Sequence, residues 1–374
     1  MTETMEEIFF EILRSGIGTG APVARKLSDR EWDAIYKLAK RHCLLGIAYV
    51  GVQNHIGILM ETGIEESEII PKKVYYNWMG NTALIAENNE MMNGQCVALQ
   101  SVFRENGFDA CVLKGQGVAR YYGELSPYRQ CGDIDIWIWP KDDWTLGHKD
   151  RMKKVISFLT SKYKCETTCY HHIEFITSER IKVEVHYTPS WMFSPLHNRR
   201  LQKWFKAQAP TEMQNDFSTI EFNRFYVLLH IYRHLFFEGI GLRQIVDYFF
   251  VLKSKKITTE ERLQTLQLFK SFGLVRFASA MMWILHEKLG LPTEYLLCEP
   301  DENEGRFLLS EILQAGNFGH YDKRINRNAD GSLFSAFRLH VSRNFHFLAH
   351  YPSEVLWCPL WKVWHQLWLL KFKG

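Results

Sequence analysis

A chain of 374 residues, 46% hydrophobic and 23% charged, has the composition of an ordinary globular protein and the length for two or three domains. Its 45 basic and 42 acidic residues leave a net charge of +3, too balanced for a surface that coats nucleic acid. No uncharged apolar run approaches the ~20 residues of a membrane span, and MTETMEEIFF carries acids where a signal peptide needs bases, so the expected location is cytoplasmic.

The first hundred residues read as helical. Residues 6–13 are apolar at helical spacing, and Ser28-Asp29-Arg30-Glu31 has the form of a capping box ahead of Trp32, Ile35 and Leu38. Pro71 opens another helix through Tyr75, Trp78 and Ile85, and a long amphipathic helix is expected over 82–106, interrupted in quality by Gly94. Nothing in this region carries chemistry. It reads as a helical layer packed on the sheet that follows.

From residue 107 the pattern changes to alternating strand and helix. The apolar run Ala110-Cys111-Val112-Leu113 breaks at Lys114-Gly115-Gln116-Gly117, and a short helix is expected over 118–122. After a loop with Pro127 and Arg129, a strand opens at Asp133 and runs to Trp139, where Pro140 ends it. Side chains alternate along a strand, so Asp133 and Asp135 share one face while Ile134, Ile136 and Ile138 share the other. A helix over 142–162 follows, then two strands, 170–176 and 181–187, joined by a polar turn that suggests an antiparallel hairpin. The second of these places Glu184 and His186 opposite Val183 and Val185. A mixed sheet with helices on one side is the expected form.

Two carboxylates side by side repel unless a cation lies between them, and a divalent metal is the usual remedy. If the strand bearing Glu184 lies beside the strand bearing Asp133 and Asp135, three carboxylates converge. Such a set can hold two Mg²⁺ roughly 3.5–4 Å apart for in-line attack at phosphorus. A strand that stops at Gly115 and enters a helix leaves backbone N–H groups for phosphate oxygens. Lys114 and Arg129 flank the site and are candidates for phosphate contact, Arg129 alternatively for a carboxylate. His186 shares the face of Glu184, and of the neighbouring His171 and His172 only one is expected to face the carboxylates.

LKGQGVARYY, then YRQCGDIDIWI, then KVEVH, with GLRQIVDYFFVL further on, resembles the bacterial uncharacterised nucleotidyltransferase family within the DNA polymerase β-like superfamily. The resemblance is strongest over 109–190. It implies an α+β nucleotidyltransferase core over 107–195, between helical regions 1–106 and 196–374. It also implies transfer of a nucleotidyl group from a nucleoside triphosphate (NTP) to an acceptor, with Mg²⁺ or Mn²⁺ on Asp133, Asp135 and Glu184. Lys114, Gly115, Gln116, Gly117 and Arg129 would meet the phosphates. Superfamily members usually have Gly-Ser or Gly-Gly at the turn, whereas Gln116 follows Gly115 here.

The last part of the chain returns to helix, over 223–238, 242–252, 263–272, 275–289 and 306–313, and a polar loop is expected through Gly331. His230 and His234 have i,i+4 spacing without a third ligand and read as packing, while Arg243 and Asp247 read as an ion pair. Trp357, Trp361, Trp364 and Trp368 fall on one helical face, a core element or the surface of a homodimer. Eight scattered cysteines without a CxxC pair argue for reduced thiols and against zinc. The alternative function is a nucleotide-binding or interaction protein without catalysis, for which Gln116 at the turn is the hint. The acceptor is not legible, although a small molecule is favoured.

Overall fold

In the computed structural model, which describes residues 3–141, 143–322, 324, 339 and 341–373, helices surround one five-stranded mixed sheet. Helices α1 (Glu3–Gly16), α2 (Asp29–Arg41), α3 (Leu45–Glu61) and α4 (Glu66–Ile69) lead into α5 (Lys72–Glu105). The Ser28–Glu31 capping box forms as the sequence suggests and starts α2. Helix α5 is one uninterrupted element of 34 residues, not the two separate pieces expected. Gly80 and Gly94 do not break it, and each faces open space.

The sheet consists of β1 (Phe108–Val112), β2 (Asp133–Pro140), β3 (Cys165–Thr168), β4 (His172–Ile176) and β5 (Lys182–His186), in the order β1-β2-β5-β4-β3. Between β1 and β2 lie the short helix α6 (Gln116–Ala119) and a 3₁₀ segment over Arg120–Tyr128, and α7 (His148–Lys162) follows β2. The hairpin of β4 and β5 is antiparallel, as its tight polar turn implies. Strand β2 pairs antiparallel with β1 and parallel with β5, which gives the mixed character. The outer edge of β1 is closed from downstream: Val112 N–H donates to Asp216 O at 2.9 Å, and Ser218 N–H donates to Val112 O at 3.0 Å. Strand β3 was not foreseen, being four residues long with only Cys165 apolar.

One face of the sheet is hydrocarbon. Ile134, Ile136, Ile138, Val183, Val185, Ile173 and Phe175 pack with Met92, Leu99 and Phe103 of α5 and Met152, Val155 and Leu159 of α7. The other face belongs to the C-terminal helices, with Trp137 stacked on Phe222 at 6.0 Å. Helices therefore cover both sides of the sheet, which corrects the expectation of one.

The C-terminal half contains α8 (Pro195–Glu212), α9 (Ile220–Phe237), α10 (Leu242–Lys253), α11 (Thr259–Ser271), α12 (Val275–Trp283), α13 (Glu302–Ala315) and α14 (Pro352–Lys373). Every residue of α9 from Phe222 to Phe236 is buried, so it forms the axis of this half. On α14, Trp361 is buried against Trp191 at 4.4 Å, whereas Trp357 and Trp364 are exposed. The tryptophan row is thus divided between core and surface. Among the described residues no helix is long and apolar enough to cross a membrane. Residue 142, expected to begin a helix, and residues 325–331 of the expected polar loop lie outside those described.

Candidate functional site

The strand register places the acidic residues in rows. Asp135 lies level with Glu184, and Glu184 with Glu174. One rung before, Asp133 lies opposite Lys182, and one rung after, Trp137, His186 and His172 form a row. All of these odd-numbered β2 positions and even-numbered β4 and β5 positions point away from the isoleucine face. Asp133, Asp135 and Glu184 are therefore brought to one face of adjacent strands.

The cation among them is already partly supplied by the chain. Lys114 Nζ and His186 Nε2 each lie 2.8 Å from Asp135 Oδ1, whereas the buried Asp135 Oδ2 has no partner. Burial works against the Asp135 charge, but Lys114 and His186 hold its pKa below the usual carboxylate range. Asp133 goes the other way: burial, and next the Asp135 charge, push it up to about 6. Lys114, expected to face a phosphate, instead neutralises Asp135. Burial opposes its own charge, and Asp135, Glu184 and Asp133 more than offset that, keeping it firmly protonated. Glu184 sits between Lys182 Nζ at 3.1 Å and His172 Nδ1 at 3.3 Å, with His186 Nε2 at 3.7 Å. Carboxylate oxygens are the hard donors that a divalent cation takes, and an acid-containing group with its ligand atoms within 4.8 Å of one another is His172, Glu184 and His186.

The glycine turn resolves into parts with different duties. Gly115 has φ +62° and ψ −114°, a backbone conformation suited to glycine, and an added Cβ would lie 3.3 Å from Asp133 O. That freedom keeps the turn beside the first aspartate. Gly117 is different: its Cβ would meet Val112 O at 2.8 Å, so it serves close packing of α6 on β1 and does not open the backbone to phosphate. Gln116 is buried, and its amide donates to Asn93 Oδ1 at 2.7 Å and Asn89 O at 3.2 Å. Its side chain therefore anchors the turn to α5, away from the phosphate position the resemblance assigns it.

Arg129 is also committed elsewhere. Its Nε and Nη2 reach Asp247 of α10 at 2.6 and 2.7 Å, and Tyr122 Oη donates to the same carboxylate at 2.6 Å. The planar fork, expected to hold a phosphate or alternatively a carboxylate, holds a carboxylate 118 residues away. Asp247 accordingly pairs with Arg129 rather than with Arg243, whose Nη1 donates to Gln130 O at 2.7 Å.

A cavity of about 560 Å³ opens over the carboxylates, lined among others by Lys114, Asp133, His172, Glu184, Arg233 and His234. Arg233 was missed in the sequence. It is buried on α9, lies 4.5 Å over the Trp191 ring, approaches His234 Nε2 at 3.0 Å, and leaves Nε without a partner. The available signal was a charged residue next to His234 in a largely apolar helix. His230 and His234 meet edge to face on the same helix, their ring centres 4.3 Å apart. Both His171 and His172 line the cavity; His172 contacts Glu184 and Glu174, while His171 meets Cys169. His171 precedes β4 and escapes its alternation.

No curated protein and no solved structure matches this chain. A family profile described as uncharacterised nucleotidyltransferase matches residues 28–290, well over half of the length. That span includes the Gly115 turn, both aspartates, Glu184 and the α9 and α10 residues that close the site. By sequence match across the whole site, the chain belongs to the uncharacterised nucleotidyltransferase family.

Proposed function

We propose that this protein transfers a nucleotidyl group from an NTP to an acceptor hydroxyl or phosphate, releasing pyrophosphate, with Mg²⁺ or Mn²⁺ held by Asp133, Asp135 and Glu184. The observation that carries this reading is the level pairing of Asp135 with Glu184 on parallel neighbours, with Asp135 Oδ2 buried and unpartnered. A bound divalent cation would supply neutralisation of the carboxylates and activation of the acceptor oxygen. Lys114 sits at the end of a flexible stem beside the Gly115 turn, and can exchange its Asp135 contact for a phosphate oxygen. Arg233 takes the phosphate role first assigned to Arg129, because its Nε is spare and it lines the cavity. Glu184 is placed to receive the acceptor's proton.

The cavity is of the size that encloses small ligands, which favours a small-molecule acceptor. A homodimer would use the exposed outer row of α14, including Leu356, Leu360, Val363 and Leu367.

The test is incubation with each α-labelled NTP, Mg²⁺ or Mn²⁺ and a cell extract. Label should move to an acceptor with the wild type and fail to move in EDTA or with Asp135→Asn. One observation favours the alternative of nucleotide binding without catalysis: Lys114 already neutralises Asp135. Calorimetric NTP binding without transfer of label to any acceptor would select that alternative.

A further inference from the structure

We infer that Cys169, His171 and His172 form a second metal site on the cavity wall, one that takes a borderline-soft transition metal of the Zn²⁺ or Co²⁺ kind. One ligand atom from each of the three lies within 4.8 Å of the others. Cys169 Sγ is 3.2 Å from His171 Nδ1, and the two imidazoles are 4.2 Å apart at their centres. Tetrahedral Zn²⁺ with Zn–S of about 2.3 Å and Zn–N of about 2.0–2.1 Å sets sulfur and nitrogen ligands roughly 3.5 Å apart, so only a small adjustment is needed.

A second observation points the same way. His172 is buried, its Nε2 is oriented by Glu174 Oε1 at 3.0 Å, and its Nδ1, which makes no hydrogen bond, lies 3.3 Å from Glu184 Oε2. A carboxylate that orients one ring nitrogen is the usual support of a metal-binding histidine. The turn itself is restrained, since Cys169 N–H donates to His172 O at 2.9 Å.

Thiolate and imidazole select Zn²⁺ or Co²⁺ over Mg²⁺, so the site differs in donor chemistry from the carboxylate set. It opens to the cavity and has three protein ligands, the arrangement that leaves a position for water or substrate. None of its ligands is Asp133, Asp135 or Glu184. The inference therefore stands or falls apart from nucleotidyl transfer.

The experiment is titration of metal-free protein with Co²⁺, read by thiolate-to-cobalt charge transfer, alongside Zn²⁺ content by mass spectrometry. The wild type should saturate at one equivalent with a charge-transfer band. Cys169→Ser should lose the band, and Glu174→Gln should weaken affinity about 10- to 100-fold. Asp135→Asn, which should lose nucleotidyl transfer, should keep the band. Should Cys169→Ser fold poorly, wild-type alkylation at Cys169 is measured directly, and one equivalent of Zn²⁺ should slow it at least tenfold. A band that survives Cys169→Ser, absence of any band at stoichiometric Co²⁺, or unprotected Cys169 would each overturn the proposal. So would binding without thiolate character, which would assign the metal to His172, Glu184 and His186.

Discussion

The two faces of one sheet use the same strands for opposite purposes. On the isoleucine face, Ile134, Ile136, Val183 and Val185 meet only hydrocarbon from α5 and α7. Each such side chain contributes about 1.5–3 kcal/mol by leaving water. On the other face, Asp135, His186 and His172 are removed from solvent at a cost and depend on partners, while Asp133 and Glu184 are half-buried beside them. Some partners lie on the sheet itself, His186 for Asp135 and Lys182 and His172 for Glu184, and Lys114 comes from the turn after β1. One face therefore gains from burial alone. The other gains only through pairing, and substitutions should separate the two.

The largest effect belongs to the pairing that locks the loop before β2. Asp247→Ala leaves the Arg129 guanidinium and the Tyr122 hydroxyl buried without their acceptor, and should cost about 3–5 kcal/mol in urea unfolding. A loss below about 1 kcal/mol would show that buried pairing on this side contributes no more than a surface contact.

Next comes the hydrocarbon face. Ile136→Ala should cost about 3 kcal/mol through lost transfer energy and a cavity. Nucleotide affinity per folded molecule should be unchanged, because Ile136 points away from the carboxylates. An altered affinity at full folding would break the division between faces.

Asp135→Asn is smaller and changes sign relative to what sequence suggests. Three facing carboxylates alone imply that removing one relieves repulsion. With Lys114 and His186 each 2.8 Å from Asp135, the variant should instead lose about 2 kcal/mol in EDTA. It should also lose the thermal stabilisation that Mn²⁺ gives the wild type. Melts of both proteins in EDTA and in Mn²⁺ measure the two effects together, and a variant more stable in EDTA would restore the repulsion argument.

The smallest effect concerns the turn. Gly115→Ala forces φ near +62° on a residue with a Cβ, at a cost of about 1 kcal/mol, and places a methyl group against Asp133 O. Calorimetry with ATP and Mg²⁺ should show weakened binding, and undiminished binding would remove the turn from the site.

Strand parity made much of this face legible in advance. Two-residue alternation separates Asp133 and Asp135 from the isoleucines wherever β2 lies, and the same holds for Glu184 and His186 on β5. Parity does not choose neighbours or register, however. That Asp135 meets Glu184 depends on the parallel pairing of β2 with β5. Partners distant in the chain left no local trace, so Arg129 read as free for phosphate although Asp247 occupies it. Gly115 and Gly117 looked alike in sequence, and only the fold separates them, by the positive φ of Gly115 and the Val112 carbonyl against Gly117. Gln116 seemed a defect in a phosphate turn, whereas its amide spans to Asn93 as a brace.

The closure of the β1 edge by residues 216–218 has a consequence during synthesis. Ser218 bonds back to Leu113 across 105 residues, and at ribosomal speeds of about 5–20 residues per second that segment emerges some 5–20 seconds after β1. For that interval the Val112 backbone groups have no cover, and the nascent strand is a template for pairing with another chain. A ribosome-bound chain stalled before residue 216 should therefore engage chaperones more than one stalled well beyond residue 218, although the five strands are present in both.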